Sequence, residues 1–168
     1  MAFTFNSVLN DTPIGDSLFD SHGAELVPDI LAKAAKKGVR IHLPTDFTCA
    51  DKFHEDANVV IRTEDQGIDD GWLGLDIGPN TIAANAEVIA RSKTIFWNGP
   101  QGVFEMKPFA SGSLSMLDNI IAATESGATS VAGGGDTVAL LNKIEGAAQK
   151  LSHVSTGGGA SLELVEGH

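Results

Sequence analysis

Apolar residues recur along this chain at two spacings. Leu26, Val27, Ile30, Leu31, Ala34 and Ala35 fall three and four residues apart, which predicts an amphipathic helix, and Gly38 closes it. Short apolar runs predict strands over residues 39–43, 59–61, 73–77 and 94–97. Pro44 follows the first of these, Gly78 and Pro79 the third, and Asn98, Gly99 and Pro100 the fourth. Helices are predicted over residues 82–91 and around Leu114, Leu117, Ile120 and Ile121, the second ending at Gly127. Two more apolar runs each lead into three glycines. Ser130, Val131 and Ala132 precede Gly133, Gly134 and Gly135; His153, Val154, Ser155 and Thr156 precede Gly157, Gly158 and Gly159. Between them Val138, Leu141, Ile144 and Ala148 share one face of a predicted helix.

Strands alternating with helices indicate an α/β fold, a parallel sheet with helices on both faces. No linker, repeat or low-complexity tract interrupts residues 1–168, so a single domain is expected. Ligands of such sheets bind beyond the carboxyl ends of strands, and the informative residues fall there. A strand, a glycine turn and a helix together aim backbone N–H groups at one point, and the helix dipole adds to their pull on anions. Two such units suggest a polyphosphate held between two helix N-termini.

Composition sharpens this expectation. The formal net charge of −11 argues against partners such as nucleic acid or acidic membrane. Only 11 Lys and Arg are present, none inside either glycine turn, so a phosphate site must rely on backbone dipoles and a metal unless cations come from elsewhere. A lone cysteine, Cys49, excludes an intrachain disulfide and points to a cytosolic-type compartment. There is no run of 18 apolar residues and no signal-peptide pattern at the N-terminus, so neither a membrane span nor export is expected.

Each candidate residue has two readings. Asp136 lies at a predicted helix N-cap, where it either caps the next turn or is a carboxylate linked to Mg²⁺ beside a phosphate chain. Thr137 either offers a hydroxyl to a phosphate oxygen or fills the first helical turn. Gly157, Gly158 and Gly159 form a tight turn or a bare-backbone binding surface. Glu105, past a strand end, is a solvated charge or a partner for vicinal ribose hydroxyls. Phe104 and Leu75 are core residues or a platform for a base. The histidines show no metal-ligand spacing, and Trp72 and Trp97 read as packing. A P-loop, a dinucleotide-binding G-x-G-x-x-G after a first strand, and a G-x-S-x-G elbow are all absent from the sequence.

Several segments together resemble the phosphoglycerate kinase family. They are residues 71–79 (GWLGLDIGP), 97–105 (WNGPQGVFE), 133–137 (GGGDT), 152–164 (SHVSTGGGASLEL) and the opening MAFTF, in family order. The resemblance implies a Rossmann-like, doubly wound three-layer αβα unit, incomplete relative to the family's nucleotide-binding C-terminal domain. It implies that Gly74 and Leu75 line an adenine pocket with Phe104 nearby, that Asn98 and Pro100 sit by the nucleotide, and that Glu105 holds the ribose. It places Gly134, Gly135, Asp136 and Thr137 at the phosphates, with Asp136 on magnesium. Gly157, Gly158 and Gly159 cradle the transferring phosphoryl group, and Ser155 and Thr156 belong to a hinge.

The implied activity is phosphoryl transfer between ATP and 3-phosphoglycerate, with ATP or ADP and Mg²⁺ bound on this chain and a cytoplasmic location, or an organellar one. The family's 3-phosphoglycerate site, its catalytic arginine and the lysines that reach the phosphates find no counterpart in these residues. Turnover by this chain alone is therefore not expected. The alternative is an assembly module that folds with a complementary fragment or self-associates through an exposed sheet.

Overall fold

The computed structural model describes residues 1–155, 162–163 and 165–167. In chain order its elements are α1 (Ala2–Asn10), α2 (Ser21–Lys37), β1 (Asp46–Ala50), β2 (Val59–Thr63), β3 (Leu73–Ile77), α3 (Pro79–Ala90), β4 (Thr94–Asn98), α4 (Ser111–Glu125), β5 (Thr129–Gly133), α5 (Gly135–Lys143) and β6 (His153–Val154). The fold is α/β, as the alternation of elements predicts. β4, β5 and β6 form a parallel sheet in that order, with Asn98 beside Gly133 and Ala132 beside Val154. All three strands therefore point their carboxyl ends to one side, and the segments after Asn98, Gly133 and Val154 emerge together.

The strands did not all join that sheet. β1 lies between β2 and β3, antiparallel to both. The strand expected over residues 39–43 is absent. Its alternation of Val39, Ile41 and Leu43 with Arg40 and His42 fits a strand, but those residues join no ladder, and Val39 stays 59% exposed. An extended segment becomes a strand only beside a partner. The strand begins instead after Pro44, where Asp46, Phe47, Cys49 and Ala50 are buried. The helix expected to run from Val138 to Ala148 stops at Lys143. Ile144 is extended, and the chain turns at Gly146 before a short 3-10 turn at Ala148–Lys150. α1 was not foreseen; its Phe3 packs on Phe47, ring centres 5.2 Å apart.

The main core lies between α3, α4, α5 and the parallel sheet and includes Ile89, Trp97, Leu117, Ile120, Ala132 and Leu141. Cross-strand neighbours share a face, so Trp97 and Ala132 face this core. The opposite row, Phe96, Val131 and His153, is buried less well, with Phe96 38% exposed. No helix among the described residues is long and apolar enough to cross a membrane.

Two buried carboxylates join the sheets to the helices. Asp46 of β1 is fully buried at the N-terminus of α3. It accepts the Asn80 and Thr81 N–H groups at 2.8 Å each and the Thr81 hydroxyl at 2.6 Å. Thr81 Oγ1 in turn accepts the Thr45 N–H at 3.0 Å. Asp46 thus caps from another strand a helix whose own N-cap residue, Gly78, has no side chain to do so. Removing it leaves buried donors unpaired. Asp46→Ala is expected to lower unfolding stability by about 3 kcal/mol, read as a shift of the urea midpoint at unchanged slope.

Candidate functional site

A cleft of about 530 Å³ opens between α1, the β1–β3 sheet and the segment after β4. Its walls include Phe3, Phe47, Gly74, Leu75, Pro100 and Val103. Of the residues expected at a nucleotide, Gly74, Leu75 and Pro100 line it and Asn98 does not. Gly74 is packed so closely on the Phe3 ring that any Cβ there would overlap it. Its N–H donates to Ser17 Oγ at 2.9 Å. A side chain at position 74 would displace the aromatic wall.

Phe104 and Glu105 are not among the lining residues. Phe104 is half-buried against the main core, with Lys143 Nζ 4.9 Å from its ring centre, a cation–π contact. Glu105 is exposed next to it. Val103, one residue earlier, supplies the apolar wall and donates its N–H to the Leu75 carbonyl at 2.9 Å. Phe47 and Phe3 were also missed as cleft residues. The first was hidden in an unforeseen strand and the second in an unforeseen helix.

The first glycine turn lies at the carboxyl end of the parallel sheet. Gly134, not Asp136, is the N-cap of α5, with φ +89°. Its Cα faces Asn98 Oδ1 so closely that a Cβ would collide, which together with the positive φ reserves the position for glycine. Asp136 sits in the first turn, exposed. The capping reading of Asp136 fails because Gly134 already holds the cap position and no side chain caps there. The carboxylate is left facing solvent at the positive end of the helix. Thr137 is fully buried, and its Oγ1 accepts the Gly99 N–H at 2.7 Å.

The three helices that start at strand ends thus differ at their N-termini. α3 is filled by Asp46. α4 is filled by Asp76 of β3, which accepts the Gly112 N–H at 2.8 Å. Among the described residues no carboxylate from another element is hydrogen-bonded to the start of α5. Gly135 and Asp136 in its first turn are exposed, and the positive end of the helix dipole there favours an anion.

Ser155 N–H donates to the Ala132 carbonyl at 2.8 Å, so the chain leaves β6 beside this turn. Thr156, Gly157, Gly158 and Gly159 lie outside the described residues. No group of three or more His, Cys, Asp or Glu side chains among the described residues is placed to hold a metal by itself. Burial pushes the Cys49 thiol up to about 11, against the weaker pull of Arg62, which keeps it protonated and unreactive.

The sequence model of one family, phosphoglycerate kinase, matches residues 1–168. The chain is 64% identical over 168 residues to the phosphoglycerate kinase of Sterkiella nova, covering 99% of this chain and 40% of that protein. It is 59% identical over 167 residues to that of Euplotes crassus, again covering 99% of this chain and 40% of the relative. The solved structure of phosphoglycerate kinase from Coxiella burnetii superposes with a TM-score of 0.91 at 38% identity, over 99% of this chain and 41% of that one. The chain therefore spans about two fifths of the length of the relatives it matches.

Asp76 gives the site a pH signature. Burial raises its carboxyl to about 6, against the opposing pull of the Gly112 and Ile77 N–H groups. Its folded-state value lies above the unfolded value of 3.8. The folded state therefore holds the proton more tightly, and the resulting stability is full below the unfolded value and lost as pH rises through about 6. Unfolding free energy measured at pH 5 and pH 7.5 should favour the lower pH by roughly 1 kcal/mol for this group. Asp76→Asn should remove that part of the difference.

Proposed function

Because this chain belongs to the phosphoglycerate kinase family, we propose that it carries the nucleotide and nucleotide-phosphate side of a phosphoglycerate kinase site. In that reaction a carboxylate oxygen of 3-phosphoglycerate bonds to the γ-phosphorus of ATP. The bond to the β,γ-bridging oxygen breaks, and ADP and 1,3-bisphosphoglycerate result. Such transfers depend on positioning and on neutralising phosphate charge rather than on covalent help from the protein.

The observation that carries this reading is the α5 N-terminus. Among the described residues it alone of the three helix starts after strands β3, β4 and β5 is hydrogen-bonded to no carboxylate from a neighbouring element, and it has an exposed Asp136 in its first turn. Gly134 and Gly135 would present N–H groups to the nucleotide phosphates. One carboxylate with no protein cage suits Mg²⁺, which prefers one or two carboxylates with phosphate oxygens and water. When bound, that ion neutralises charge on the phosphate oxygens.

Gly74 and Leu75 would hold the adenine in the cleft, with Pro100 at its edge and Asn98 between base and phosphates. Glu105 would serve the ribose. Phe104 stands behind the site as packing, and Thr137 positions the loop from below. Gly157, Gly158 and Gly159 would receive the transferring group. We assign the chemistry to cytoplasmic glycolysis and residues 1–168 to one nucleotide-binding unit.

A second reading is an assembly module that needs a complementary chain. Phe96 and Val131 on one sheet face favour it, as do Val39 at 59% and Ile41 at 37% exposure in the unpaired segment 39–43. Parallel sheets are ordinarily covered on both faces. Light scattering on the purified chain decides this. A well-dispersed monomer overturns the assembly reading.

Calorimetry should show MgADP binding whose heat falls when magnesium is chelated, with Asp136→Ala weakening it at least tenfold. No heat from the parent chain overturns the nucleotide reading. A coupled assay for ATP formation from 1,3-bisphosphoglycerate should show no turnover by this chain alone. Robust turnover overturns its assignment as one half of the site.

A further inference from the structure

The segment from Asn98 to Val103 joins the two parts of the site: it leaves β4 beside the α5 turn and ends in the wall of the cleft. From Gly99 onward its backbone donors are all engaged. Gly99 N–H donates to Thr137 Oγ1 at 2.7 Å, in the first turn of α5. Pro100 has no N–H. Gln101 and Gly102 N–H groups both donate to Ser113 Oγ, at 3.0 and 3.4 Å, in the first turn of α4. Val103 N–H donates to the Leu75 carbonyl at 2.9 Å. Trp97 Nε1 donates to the Gly99 carbonyl at 2.8 Å. The two hydroxyl-bearing residues, Ser113 and Thr137, are both fully buried, and Asp76 lies directly against Gly102.

A loop whose backbone N–H groups are all engaged from Gly99 to Val103 cannot rearrange without breaking one of these bonds. It can offer a ligand carbonyl oxygens, the Pro100 ring and the side-chain amides of Asn98 and Gln101, the latter in the cleft wall. Each end is fixed to a different helix start, one on the cleft side and one on the phosphate side.

We propose that Ser113, with Thr137 as its counterpart, is a positioning residue: the two hydroxyls hold residues 98–103 as a strut that sets the distance between the cleft and the α5 N-terminus. This rests on the nucleotide reading above. Ser113 touches neither end of the ligand in that reading. It acts through the backbone of Gln101 and Gly102. Losing its hydroxyl removes an acceptor shared by two partly buried N–H groups, a change worth about tenfold in the order of the loop. A nucleotide spanning both ends must then bear the cost of re-ordering it. Ser113→Thr keeps the hydroxyl and should restore the strut.

Two measurements test this on the chain as it stands. Amide hydrogen exchange without ligand should show Gly99, Gln101 and Gly102 protected at least tenfold over unstructured rates. In Ser113→Ala, protection at Gln101 and Gly102 should be lost while Gly99 keeps its own, and Ser113→Thr should recover both. Calorimetry should show MgADP affinity about tenfold weaker in Ser113→Ala and within about twofold of the parent in Ser113→Thr. Unprotected loop amides in the parent chain overturn the strut and leave the nucleotide reading intact, and this arm does not depend on any variant folding. Parent-like MgADP affinity in a Ser113→Ala chain that has lost its loop protection overturns the positioning role. Protected amides with no MgADP heat in the parent overturn the nucleotide reading, and the positioning role with it.

Discussion

Buried polar groups that reach from one element to the start of another helix organise this molecule. Asp46 leaves β1 to satisfy α3, and Asp76 leaves β3 to satisfy α4. The antiparallel sheet and the helices beside the parallel sheet are thereby fixed to each other by charge-assisted hydrogen bonds. A helix N-terminus holds N–H groups with no internal partner, and something must meet them. In two cases the fold supplies a carboxylate. At α5 it supplies a glycine turn instead, and the same electrostatic demand is left for a ligand. The structural caps and the proposed phosphate site are thus two answers to one physical requirement.

The burial of those carboxylates has a cost that appears in Asp76. Taking a carboxylate out of water disfavours its charged form, and two N–H donors offset only part of this, so the group titrates near 6. Its neighbours pay in sequence freedom. Side chains at Gly102 and Gly112 would overlap the Asp76 carboxylate, as one at Gly78 would overlap that of Asp46. Those glycines are required by close approach rather than by a turn. They also explain why a glycine-rich chain need not owe each glycine to ligand binding.

The acidic character of the chain fits the proposed site, whose positive potential would come from helix dipoles and a metal ion brought with the nucleotide. With a net charge of −11, bare backbone is the strongest attraction for phosphate on offer at the α5 turn. That turn holds its shape through Gly134 and Asn98 and is anchored from below by Thr137, which ties it to the loop that reaches the cleft.

Local pattern alone determined the strands at residues 59–61, 73–77 and 94–97, the helices around Val27, Ile89 and Leu117, and the glycine turn at Gly133 to Gly135. Each rests on apolar spacing and on punctuation by glycine or proline, which act within one element. The motif residues also gave the family, and with it the expected place of Gly74, Leu75, Pro100 and Asp136. What only the tertiary structure decided was partnership. Residues 39–43 have the alternation of a strand and are not one, because no neighbour completes their hydrogen bonds. Residues 46–50 became the central strand of an antiparallel sheet because Phe3 and Ile68 cover Phe47 and Cys49. Asp136 looked like a cap and is not, because Gly134 holds that position. Ser113 carried no signal in the sequence, since the two N–H groups it accepts lie eleven and twelve residues away and meet it only when α4 starts beside the loop. Spacing along a chain encodes which face of an element is apolar, but which donor meets which acceptor across elements is settled only when they pack.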